Sequence, residues 1–143
     1  MYEENGGLNR LIGKKVTEIR ISDDRLVLTT ADGELIGFDV EGDCCSHSYF
    51  YDFHGVRKLL DNGPVTKAGP IDLAEPDQTG HECLQAYGFE LITESPKWGE
   101  QTSVLSFRNE SNGYYGGWMQ AAGTDRLDEL KLITDDVLDV GAL

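Results

Sequence analysis

The sequence predicts an α+β fold: mainly antiparallel β-sheet built from a meander and hairpins, with one or two short helices packed on it. Three observations predict it. Period-2 alternation of apolar and polar residues marks 14–22 and again 102–109, and a β-branched, apolar run marks 25–30. Turn signals rich in Asp, Asn and Gly separate those runs. Helical spacing of apolar residues is confined to two brief stretches, the pattern of a sheet with helices set on it.

Residues 1–10 carry few apolar side chains and two glycines, so a flexible N-terminus is expected ahead of a single domain at 11–143. Lys14–Ser22 alternates, with Thr17, Ile19 and Ile21 on one face and Val16, Glu18 and Arg20 on the other. Asp23-Asp24 turns the chain into a second strand, Arg25–Thr30. Asp32-Gly33 supplies a positive-φ pair for a tight hairpin into Glu34–Val40. Glu41–Tyr51 is small and polar, then aromatic. Phe53–Asp61 places Phe53, Val56, Leu59 and Leu60 at helical spacing, weakened by Gly55 and stopped by Asn62-Gly63. Pro64–Leu73 is extended, and Pro70 confines it to a sheet edge. After a loop at 74–80, His81–Glu94 reads as a long strand bulged at Gly88. Residues 95–101 turn, Thr102–Asn109 alternates, Ser111–Gly117 interrupts and Trp118–Ala122 resumes. Asp125 can cap a helix carrying Leu127, Leu130 and Ile133, although Leu130–Thr134 fits a strand equally well.

Charge is the strongest compositional fact. Twelve Lys and Arg stand against 26 Asp and Glu, a net charge of −14. Phosphate backbones attract clustered cations, so nucleic-acid binding is not expected. The charge either keeps the protein soluble or presents an acidic face that imitates nucleic acid to a protein partner. A small anionic ligand remains compatible, because a pocket arginine overrides a distant field that is screened over about a Debye length. No run approaches the roughly 20 apolar residues of a membrane helix, and no apolar leader opens the chain, so neither membrane nor secreted work is expected. Three cysteines, Cys44, Cys45 and Cys83, make a poor disulfide framework and point to a reducing, cytoplasmic compartment.

Walker, Rossmann, nucleophile-elbow and H-E-x-x-H signatures are missing from the chain. Cys44 and His47, with His81 and Cys83, have spacings a zinc site can use. Adjacent cysteines on a strand point to opposite sides, however, so buried cysteines packing a core are the expectation, with no metal and no cofactor. A nucleophilic cysteine beside His47 or His54 is disfavoured by an acidic surround that raises thiol pKa values. Residues 107–118 (FRNESNGYYGGW) are the most unusual local sequence. Arg108 can pair with a phosphate, Asn109 and Asn112 can read base or ribose edges, Gly113 opens the backbone, and Tyr114 and Tyr115 can stack on a planar ring. A hairpin loop with cross-strand aromatics would look the same. Asp43, Ser46 and His47 in the other polar segment are expected to line the same cleft.

These two segments, Gly42-Asp43-Cys44-Cys45-Ser46 and Arg108-Asn109-x-Ser111-Asn112-Gly113-Tyr114-Tyr115-Gly116-Gly117, resemble a widespread family of small uncharacterised bacteriophage proteins. The opening Ile12-Gly13-Lys14-Lys15-Val16 strand resembles it too, so the likeness spans most of 11–120. Size, sheet-rich plan and the Arg/Asn/aromatic cluster are also similar to the first type of Thoeris anti-defence protein. That resemblance implies an oligomeric, non-enzymatic sponge in the host bacterial cytoplasm, one that binds cyclic ADP-ribose signals near subunit contacts without cleaving them. The acidity departs from it, since a doubly anionic ligand must be captured against a net negative charge. Two other readings stay open: an acidic inhibitor of a host defence nuclease, and a small enzyme degrading such a signal with His47, His54 or His81 as its acid or base.

Overall fold

The meander predicted for residues 14–40 forms, but its first strand does not alternate simply. The computed structural model describes residues 5–80, 83–113 and 116–143. Strand β1 (Val16–Ile21) pairs antiparallel with β2 (Arg25–Thr30), which pairs with β3 (Leu35–Gly42). Val16 lies opposite Thr30 and Glu18 opposite Thr29, leaving Thr17 as the extra residue of a bulge. That residue resets the side-chain phase. Val16 therefore joins Ile19 and Ile21 in the core, and Thr17 faces solvent. The β2–β3 connection also differs from a two-residue turn. It spans residues 31–34, and within it only Gly33 takes a positive φ. Asp32 instead accepts from the Thr30 hydroxyl and from the Glu34 N–H (3.3 Å), and it pairs with Lys14 Nζ at 3.0 Å.

Strand β4 (His47–His54) follows a turn, then comes α1 (Val56–Asp61). Gly55 does not weaken the helix, because it stands ahead of it in the left-handed region (φ +76°). Asn62 ends the helix, its N–H donating to Lys58 O at 3.0 Å. Strand β5 (Val65–Ile71) carries Pro70 and is an edge, as that proline requires. The hairpin of β6 (Cys83–Ser95) and β7 (Gly99–Ser111) runs in unbroken register from Cys83–Ser111 to Ser95–Gly99. No bulge occurs at Gly88, which pairs with Ser106, and the turn contracts to residues 96–98. The absent Cβ at Gly88 serves packing instead: the Leu73 side chain lies where it would stand.

Strand β8 (Gly117–Ala122) returns to pair with β3, and β9 (Lys131–Ile133) adds to β1. The second helix is corrected here. Only a short 3-10 turn (Leu127–Glu129) precedes β9, and Asp125 caps nothing but binds Arg25 Nη1 at 2.9 Å. The open edge of β1 offers backbone hydrogen bonds that an isolated helix over 127–133 would leave unmade. The class is accordingly mostly antiparallel β, with α1 as the one α-helix among the described residues.

Two sheets result, ordered β8-β3-β2-β1-β9 and β4-β7-β6-β5. They share one hydrophobic cluster, in which Phe38 and Ile19 from the first meet Phe50, Phe53 and Phe107 from the second. Leu8, within the segment expected to be flexible, belongs to this core. A 3-10 turn (Leu8–Leu11) buries Leu8 and Leu11 completely; Met1–Glu4 lie outside the described residues. No helix among the described residues is long and apolar enough to cross a membrane.

Candidate ligand-binding site

Arg108 and Asn109 are neighbours on β7, and successive side chains of a strand point to opposite faces. The structure therefore separates them. Asn109 is fully buried on the core side. Its Nδ2 donates to Ser48 Oγ at 2.9 Å and to Ser46 Oγ at 3.2 Å. Those hydroxyls in turn donate to Glu41 O and Asp43 O, each at 2.7 Å. Gly42 and Gly117, paired across β3 and β8, lie against this group, and a Cβ on either would meet both Asn109 Nδ2 and Ser48 Oγ. The two sequence segments thus do meet, as a polar knot that ties one sheet to the other. Asn109 Oδ1 is the one buried side-chain oxygen or nitrogen left without a hydrogen-bond partner among the described residues.

The remaining expected residues spread around this knot. Asp43 is exposed at the turn, its N–H donating to Gly116 O at 3.3 Å. His47 is exposed and stacks on Tyr49, ring centroids 5.4 Å apart. Asn112 and Gly113 are exposed, and the Gly113 N–H donates to Ser111 Oγ at 3.1 Å. Tyr114 and Tyr115 lie outside the described residues.

Arg108 belongs to the outer face of the four-stranded sheet, where a bulge assembles a second polar group. Phe50 pairs with Phe107 and Phe53 with Leu105, so Tyr51 and Asp52 together oppose the single residue Ser106. Such bulges re-aim side chains. Here the guanidinium of Arg108 lies over the Tyr51 ring, 3.5 Å from its centroid. Ser106 Oγ donates to Asp52 Oδ1, and Asp52 Oδ2 lies 3.0 Å from His54 Nε2. These residues line a cavity of about 300 Å³, closed on its apolar side by Leu73, Ala86 and Val104. Among the described residues no carboxylate stands within ion-pair distance of Arg108. Beside it, Tyr49 donates to Glu110 at 3.2 Å, and its phenol is pushed up to about 12 by burial, with the Glu110 charge next in weight.

A second cavity, of about 340 Å³, opens on the other side of Leu73 and Ala86. Tyr87, Phe89, Phe107 and Trp118 supply its aromatic wall, with Tyr87 stacked on Phe107 at 4.8 Å between centroids. The cysteines do not pack the core as expected. Cys44 and Cys45 are exposed in a turn rather than on a strand, and the left-handed backbone at Cys45 (φ +70°) brings their sulfurs to 3.3 Å. Among the described residues no three His, Cys, Asp or Glu side chains converge as a metal-holding group; His81 lies outside those residues.

Tyr51, Asp52, Ser106 and Leu73 were not singled out by sequence reasoning. Period 2 from Arg108 leads to Ser106, so that residue was within reach; the bulge that aims Tyr51 and Asp52 has no local signature. Comparison with protein families adds one finding. The model for a domain of unknown function (DUF7448) matches residues 9–121. The chain belongs to this DUF7448 family. Its matched span holds β1 through β7 and nearly all of β8, and so both cavities and the polar knot. Neither the curated proteins nor the solved structures contain a match to the chain.

Proposed function

We propose that this DUF7448 protein is a non-enzymatic, bacteriophage-encoded sequestering protein. On this reading it holds a small anionic signalling nucleotide of the cyclic ADP-ribose type without cleaving it. The observation that carries the reading is Arg108: a cation held over the Tyr51 ring, facing a cavity and without a carboxylate partner among the described residues, in a chain of net charge −14. An arginine fork so placed can take a phosphate in two hydrogen bonds, and the aromatic wall beyond Leu73 suits a planar ring. Sequestration lowers free signal only when the dissociation constant lies below the signalling concentration. Subunit assembly is part of this reading, and native mass spectrometry of purified protein reads both subunit number and retained nucleotide.

One observation favours a second reading. Asp52 holds His54 at 3.0 Å in the same cavity as Arg108, the pairing a general base needs. Against it, the Ser106 hydroxyl is bonded to Asp52 rather than to the imidazole, so Ser106 is not placed as a nucleophile for this histidine. Incubation with cyclic ADP-ribose followed by heat denaturation separates the two. Full recovery of intact nucleotide is expected; loss that grows with time at substoichiometric protein makes the protein an enzyme.

A further inference from the structure

Strand β6 is longer than the strand that covers it. Its pairing with β5 ends where Ile71 meets Gly88, while β6 continues to Cys83. Over residues 83–87 the outer edge of β6 therefore has no strand beside it among the described residues. One position there is already filled by a side chain. Gln78, on the segment that crosses from β5, accepts from Leu84 N at 2.7 Å through Oε1 and donates to Leu84 O at 2.8 Å through Nε2. A planar carboxamide thus stands in for a strand at Leu84. Backbone groups of an antiparallel strand point to alternate sides, so Ala86, two residues on, presents its N–H and C=O to the same edge. Gly88 is paired and Leu84 is taken. Ala86 lies between them with no backbone or side-chain partner for that dyad among the described residues. It lines both cavities described above, with the Tyr87 and Trp118 rings at its aromatic side.

We propose that Ala86 is a recognition point for the edge of a planar heterocycle carrying a donor beside an acceptor, the lactam or amino-azine edge of a nucleobase. The Gln78 amide shows the geometry this edge accepts: one flat group, two antiparallel hydrogen bonds. The rings around the cavity provide the stacking surface that a base, unlike an isolated amide, also uses. This inference rests on the nucleotide reading above and names how the base would be read, at a different place from the phosphate-binding arginine.

The test titrates ¹⁵N-labelled protein with adenosine, guanosine and uridine, which carry no phosphate. The Ala86 amide resonance is expected to move and its hydrogen exchange to slow, while the Leu84 amide stays still. Ala86→Pro removes the outward N–H at an unpaired edge, where proline is tolerated, and should weaken nucleoside binding between about threefold and tenfold, the net worth of one hydrogen bond. Should that variant fail to fold, the wild-type amide titration decides alone. An Ala86 amide unmoved by every nucleoside overturns the inference. So does an Ala86 shift that follows protein concentration without nucleoside, since a second copy would then be pairing with the edge. Cyclic ADP-ribose binding with Ala86 unmoved removes the edge and leaves sequestration standing. A nucleoside response at Ala86 with no affinity for the cyclic nucleotide does the reverse.

Discussion

Two adjacent residues of β7 carry opposite consequences because of the pleat. Arg108 faces the outer cavity over Tyr51, and its removal takes away a charge-assisted contact without opening the core. Arg108→Ala should weaken cyclic ADP-ribose binding by about 1.5–3 kcal/mol with the melting temperature little changed. Lysine should restore only part of the loss, since it lacks the planar fork that stacks and binds bidentately. Asn109→Ala should do the converse: it dissolves the knot around Ser46 and Ser48, costing about 1–3 kcal/mol of stability. Calorimetric titration and denaturant unfolding, run on both variants, read the two effects separately. If Asn109→Ala folds as stably as the wild type while losing affinity, the assignment of the two faces is reversed.

At the scale of elements, the β2–β3 hairpin shows how a loop is held by one carboxylate. The Asp32 carboxyl is lowered to about 2, first by the hydrogen bond from the Thr30 hydroxyl, then by Lys14 and by the Glu34 N–H. A carboxyl held below its ordinary value near 3.8 contributes stability that is fully present above that value and lost as pH falls through 2. Unfolding stability should therefore decline between about pH 4 and pH 2. Asp32→Asn should flatten its own share of that decline; an acid profile left unchanged by this substitution would remove Asp32 from the linkage. The β4 bulge works in the same manner on the outer face of the four-stranded sheet. One additional residue at Tyr51-Asp52 brings a ring and a carboxylate to the same face, where Arg108 and Ser106 meet them.

Charge acts on the molecule as a whole. A ligand phosphate approaching a body of net charge −14 is repelled at long range, while Arg108 attracts it only at close quarters. The two effects differ in reach. The Debye length falls from about 30 Å at 0.01 M salt to about 8 Å at 0.15 M, so added salt removes the repulsion before it weakens the contact. Stopped-flow association of the protein with cyclic ADP-ribose should accelerate over that range. A rate that falls instead would mean that the potential at the cavity mouth is positive, and that the fold concentrates its cations there.

The features legible in the chain alone are local ones. Alternation marked β1 and β-branched, apolar composition marked β2, because both are properties of neighbouring residues, and Pro70 specified an edge because it lacks a ladder donor. The DUF7448 segments around Gly42 and Arg108 were legible as unusual, and the pleat alone separates Arg108 from Asn109. Whatever depends on a distant partner was settled by tertiary pairing. Residues 131–133 became a strand because β1 left an edge to be paired, although their apolar spacing also fits a helix. Tyr51 and Asp52 share a face because the register set by Phe50–Phe107 and Phe53–Leu105 leaves one residue in excess, and no local pattern encodes that excess. Ala86 has no strand beside it among the described residues because β5 stops at Ile71 while β6 runs on. Local periodicity selects the kind of element; the free energy of pairing between segments far apart in the chain selects its partner, its register and the side chains it presents.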